Sequence, residues 1–225
     1  MDNLAEEKRF TYKDYAGWDD DIRYELIEGV PYAMAAPSQI HQEISRELLR
    51  QFANFLRGKP CKVFAAPFAV RLNFDSYDDV VVEPDILVVC DKSKLDGKSV
   101  NGAPDLIIEI LSPFNIGHDT IRKFRQYQKA GVKEYWIVNP IRKIVELHIL
   151  KNGKYSGVIY RDDDIIPVHT LEGCEINLAE IFYGIEPESD EIESLPKQKI
   201  VEAMKENGIS EEQIEKIINS LILIY

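Results

Sequence analysis

Residues Glu83–Val89 read EPDILVV, and residues Pro104–Pro113 read PDLIIEILSP. Each stretch sets carboxylates against a run of Leu, Ile and Val. Glu109 is the one charged residue within the run Leu106–Leu111, and an unpaired carboxylate buried there would cost several kcal/mol. Apolar runs of this length, bounded by prolines, read as strands of a covered sheet. If the two strands pair antiparallel across the connector Cys90–Ala103, Asp85 and Glu109 come nearly level, since one lies four residues before Val89 and the other five after Pro104. Neighbouring strands run about 4.8 Å apart, a separation at which two carboxylates can share one hard cation. Asp105 faces the same way as Glu109 but lies about 13 Å along the strand. Glu83 is closer and could support Asp85 from behind. The competing explanation for Glu109 is a structural ion pair with a basic helix residue.

The elements on either side follow from capping and periodicity. Thr11 heads a short helix over Tyr12–Gly17. IRYELIEGVPYAM reads as two short strands meeting at Glu28-Gly29. Ser38 caps a helix from Gln39 to about Arg57 with an apolar stripe of Ile40, Ile44, Leu48, Phe52 and Phe55, stopped by Gly58. Strands are expected at about Lys62–Asn73, Val80–Val89 and Asp105–Leu111. Asp119 or Thr120 caps a second helix reaching Ala130, and EYWIVNP (Glu134–Pro140) is the next strand. Two or three weaker strands cross Lys143–Thr170, with KNGK (Lys151–Lys154) as a hairpin turn. Helix, three strands, helix, strand is an α/β order around one mixed sheet.

The second helix, DTIRKFRQYQKA, supplies the cation that a site of acids lacks. Asp119, Lys123 and Tyr127 share a face, so Lys123 can reach back toward the strand end, the alternative being a solvated helix lysine. His41 sits in the first turn of the long helix, either as a cap or at the site. Glu25, alternating with Tyr24 and Leu26, reads more as a surface acid than a ligand. The chain has four histidines with no HxxxH or HxH pair, and no phosphate-binding glycine loop or GxSxG.

The net charge of −12 argues at first against nucleic acid. Residues 171–225, however, hold 13 acidic and 4 basic side chains, against 26 and 23 in residues 1–170, so the main part is close to neutral and can carry a basic groove. Three cysteines, odd in number and far apart, read as reduced space-fillers. No apolar run is long enough for a membrane span, and the N-terminus lacks an export pattern, so a cytoplasmic location is expected. Residues 1–185 read as one domain, 186–194 as an acidic linker, and 195–225 as a helical hairpin. Its stripe of Ile214, Ile217, Ile218, Leu221 and Ile222 suits cis packing or a homodimer contact equally.

YELIEG, PSQIHQ, VEPDILVVCD, GAPDLIIEILSP, Asp119 with Lys123 and Tyr127, and GVKEYWIVNP together resemble the Uma-type endonucleases of the PD-(D/E)XK restriction-endonuclease-like superfamily. The resemblance covers about Tyr24 to Pro140. It implies a restriction-endonuclease-like core of helix, three strands, helix and strand, to which the extra strands and helical tail read above are added, and cleavage of DNA phosphodiesters with Mg²⁺ or Mn²⁺. Asp85 and Glu109 would be the metal ligands and Lys123 the catalytic cation, with His41 and Glu25 lining the site. The superfamily lysine two residues after the second acid is replaced by Leu111. The alternative to an enzyme is therefore a catalytically silent module of the same fold.

Overall fold

A computed structural model of the chain describes residues 8–19, 22–112 and 118–186. The linker from residue 187 and the expected hairpin 195–225 lie outside the described residues. The short helix α1 (Tyr12–Tyr15) opens on Thr11, whose N–H and hydroxyl both donate to the Asp14 carboxylate at 2.9 Å. Strands β1 (Tyr24–Ile27) and β2 (Val30–Ala33) then form an antiparallel hairpin. Glu28 and Gly29 both carry positive φ at its tip, 52° and 79°, as a two-residue turn matching strand twist requires. Helix α2 (Gln39–Leu56) begins where the Ser38 hydroxyl accepts the His41 N–H at 3.3 Å.

The expected strand Lys62–Asn73 is two strands, β3 (Lys62–Ala65) and β4 (Ala69–Arg71), and Val80–Val89 is likewise β5 (Val81–Val82) and β6 (Ile86–Val89). Pro67 and Pro84 sit in the breaks, where a residue without an N–H cannot continue a ladder. At each break the chain passes from one sheet to another. Within the expected connector lies β7 (Ser99–Asn101), which pairs parallel with β4. Strand β8 (Leu106–Ile110) is followed by a π-helical turn, His118–Lys123, leading into α3 (Phe124–Ala130). Asp119 and Thr120 thus lie inside the helix, not ahead of it. Gly131 ends α3 at φ 88°. The chain continues through β9 (Glu134–Asn139), the hairpin β10 (Ile144–Lys151) and β11 (Lys154–Arg161), then β12 (Ile165–Pro167), β13 (Glu175–Asn177) and α4 (Leu178–Ile181). The last two were not legible in the sequence.

The larger sheet has the order β11-β10-β9-β8-β6-β3, with β8 and β9 parallel and the other pairs antiparallel. The smaller runs β2-β1-β5-β4-β7. Side-chain parity divides the core. Ile86, Val88, Leu106, Ile108 and Ile110 pack with Ile44, Leu48 and Phe52 of α2, whereas Leu87, Val89 and Ile107 gather with Tyr127 and with Val70, Val82 and Val100 of the smaller sheet. Glu109 has the parity of Ile107 and therefore points into this second cluster.

Cys61 and Cys90 form a disulfide, which corrects the expectation of three reduced cysteines. The β3–β6 register pairs Lys62 with Val89, so the next residues outward, Cys61 and Cys90, come opposite each other with Cα atoms 3.9 Å apart. Cys174 is a free buried thiol, pushed up to about 11 by burial.

Candidate active site

Strands β6 and β8 are antiparallel, with Ile86 opposite Ile108 and Leu87 opposite Ile107. Extending that register by one residue sets Asp85 against Glu109, as the count across the connector predicts. Asp85 Oδ2 accepts the Ile110 N–H at 2.7 Å and lies 3.1 Å from His41 Nε2. His41 therefore serves both ends of its own turn. Its N–H helps close the start of α2, and its ring abuts the first acid.

Glu109 is 3% exposed, and its Oε1 atom is the meeting point of the site. Lys123 Nζ lies 3.0 Å from it, and the Tyr127 hydroxyl donates to it at 2.5 Å. The same ammonium is 2.8 Å from Glu25 Oε1. Lys123 and Glu25 have side chains only 4% exposed, so all three charges are withdrawn from solvent together. The structural ion pair weighed for Glu109 is present, and it is made by the same lysine proposed for the site. Burial, followed by the Glu109 and Glu25 carboxylates, drives the Tyr127 phenol well above its ordinary 10.0, so at neutral pH it is a proton donor.

Glu25 is the residue that alternation misplaced. It is 3% exposed, and the burial extends to its neighbours Leu26 and Ile27. Its Oε1 also accepts the Glu83 N–H at 2.9 Å, fixing the strand β1 to the entry of the Pro84-Asp85 step. Glu83 itself turns away. Its carboxylate takes the Tyr15 hydroxyl at 2.8 Å and Arg23 Nε at 3.0 Å. Tyr15 and Arg23 had no sequence signal, because they meet Glu83 from 68 and 60 residues away. Gln126 donates to Glu28 Oε1 at 3.0 Å and Arg122 stacks on Tyr32 at 4.7 Å, so the β1–β2 hairpin grips the helix that carries Lys123. Asp105 is engaged elsewhere, with Lys133 Nζ at 2.6 Å and the Cys90 N–H at 2.7 Å. Leu111 is buried at the position of the superfamily lysine.

The donor set suits a hard divalent cation, since Asp85 and Glu109 offer only carboxylate oxygens. Among the described residues no group of three or more His, Cys, Asp or Glu is arranged to hold a metal. A small ion bound by two carboxylates would complete its shell with water and substrate oxygens, which is the habit of Mg²⁺. None of the described helices is long and apolar enough to cross a membrane.

This mixed sheet, with paired acids on adjacent antiparallel strands and a helix following the second, defines a restriction-endonuclease-like nuclease fold. The chain belongs to the Uma2 family, described as "Putative restriction endonuclease", whose model matches residues 11–179. It is 26% identical over 182 residues to the uncharacterized protein slr1290 of Synechocystis sp. (strain ATCC 27184 / PCC 6803 / Kazusa), covering 79% of this chain and 93% of that protein. The crystal structure of a "putative nuclease belonging to DUF820" from Anabaena variabilis ATCC 29413 shares the fold. It superposes with a TM-score of 0.63 at 18% identity, over 77% of this chain and 97% of the other.

Proposed function

We propose that this chain is a divalent-metal-dependent endonuclease that hydrolyses DNA phosphodiester bonds. The observation that carries the reading is the register of β6 and β8, which sets Asp85 opposite Glu109 within reach of the buried Lys123. The family description and the name of the solved relative point the same way. Asp85 and Glu109 would hold Mg²⁺ or Mn²⁺. When bound, such an ion polarises a phosphoryl oxygen and lowers the pKa of a coordinated water.

The protein groups do the positioning. Ile110 N–H and His41 fix the Asp85 carboxylate from two sides. Tyr127 holds Glu109 Oε1 from the helix side, which fixes the carboxylate where it lies in the second cluster. Lys123 offsets the charge of two carboxylates and brings an ammonium to the place where negative charge develops on the phosphoryl group. Glu25 keeps that ammonium at the end of β8 and off the bulk solvent.

Supercoiled plasmid and short single-stranded, duplex and branched DNA, incubated with Mg²⁺ or Mn²⁺, test the reading. Metal-dependent nicking by the wild type, lost in both Asp85→Ala and Glu109→Ala, is the expected result. Cleavage that survives both substitutions, or no cleavage of any substrate with either metal, would favour the silent module.

A further inference from the structure

We infer that Lys123 occupies the place of a second metal ion, so that the site takes one divalent cation per chain. The inference rests on the metal-dependent reading above. Two-metal nuclease sites set their ions about 3.5–4 Å apart and bridge them with carboxylates. Here the position between two of the carboxylates is already filled. Lys123 Nζ stands 2.8 Å from Glu25 Oε1 and 3.0 Å from Glu109 Oε1, with all three side chains at most 4% exposed. An ammonium is a compact positive charge with three donors and no acceptor. That of Lys123 lies within ion-pair distance of both carboxylates, as a bridging cation would.

The held geometry keeps that cation in place. Glu25 Oε1 also receives the Glu83 N–H, and Glu109 Oε1 also receives the Tyr127 hydroxyl, so neither carboxylate can turn away without leaving a buried donor unpaired. A mobile ion arriving there would have to displace a covalently tethered one. Asp85, across the β6–β8 register, has no lysine contact among the described residues. It takes a backbone N–H and abuts His41.

Mn²⁺ binding to the full chain, measured by isothermal titration calorimetry and by the electron paramagnetic resonance signal of free Mn²⁺, tests this without any assay of cleavage. The wild type should take one ion per chain. Lys123→Ala, its folding checked by circular dichroism, should take two, because the vacated position lies between Glu25 and Glu109. Its first ion should also bind roughly tenfold more tightly once the like charge is gone. Two ions in the wild type would overturn the inference, as would a folded Lys123→Ala that still takes one at unchanged affinity. Asp85→Asn separates the two levels of the argument, since it should abolish wild-type binding. Full binding by Asp85→Asn, or none by the wild type, would sink the metal reading itself and this inference with it.

Discussion

Tyr127→Phe isolates the contact that fixes Glu109. The substitution keeps the ring, which is fully buried among Tyr135, Ile107 and their neighbours, and removes one hydroxyl. That hydroxyl donates to Glu109 Oε1 at 2.5 Å. A hydrogen bond to a charged group contributes about 1.5–3 kcal/mol, and Glu109 has no solvent to turn to for a replacement. The expected loss at pH 7 is therefore about 2 kcal/mol, which lowers Tm by about 4–8 °C for a chain of this size. The pH dependence has a definite sign. The folded-state phenol is raised well above 10.0, so the native chain keeps a proton that the unfolded chain releases. The stabilisation is complete below about pH 10 and is lost as pH rises beyond it. Urea unfolding followed by far-ultraviolet circular dichroism at pH 7 and above pH 10 measures both. The gap between wild type and Tyr127→Phe should close on the alkaline side. In a Glu109→Gln background, Tyr127→Phe should cost less, since the charged acceptor is gone. A change under about 0.5 kcal/mol at pH 7, or an equal cost in both backgrounds, would refute the coupling of Tyr127 to Glu109.

Two further expectations concern the scaffold. Phe52→Ala should cost about 3–5 kcal/mol, because the ring is fully buried and stands 5.8 Å from that of Trp136 at the centre of the α2 interface; a folded variant within about 1 kcal/mol of wild type would show that α2 is not anchored there. The denatured, unreduced chain should present one titratable thiol, Cys174, and three after reduction, with reduction lowering stability by about 3–4 kcal/mol for a bridge spanning 29 residues. Three thiols before reduction would remove the Cys61–Cys90 bond.

What was legible in the sequence was local. Glu28-Gly29, Ser38, Gly58 and Gly131 mark turns and helix ends through backbone chemistry that needs no partner, and each stands where expected. The stripe of α2 holds at Ile44, Leu48 and Phe52 and differs at its two ends, where Ile40 and Phe55 are only partly buried and His41 and Leu56 are the buried members. What was not legible depends on a second sheet. Lys62–Asn73 and Val80–Val89 each read as one strand because apolar residues stand on both sides of Pro67 and of Pro84. The chain in fact changes sheet there, and periodicity carries no record of which sheet a residue joins. The Cys61–Cys90 pair is hidden for a related reason, since two cysteines 29 residues apart become neighbours only through the β3–β6 register.

The site shows the same division within one group of residues. Asp85 and Glu109 could be brought level by counting, because an antiparallel register across a connector fixes opposite residues whatever the connector does. Lys123 could be aimed by helical spacing, because the helix starts close to the strand end. Glu25 could not. Alternation identifies its face of β1 correctly as opposite to that of Leu26, but the inference that this face meets water assumes a strand half covered. The β1–β2 hairpin instead lies against the helix carrying Lys123, held by Glu25 itself and by the Gln126–Glu28 hydrogen bond. A buried carboxylate on the nominally wet side of a strand requires a cation to meet it, and the cation comes from an element 98 residues further along. Burial and charge pairing at Glu25 are thus one event, created only when hairpin and helix dock. Docking of the hairpin is therefore what completes the ammonium position between Glu25 and Glu109, and with it the site.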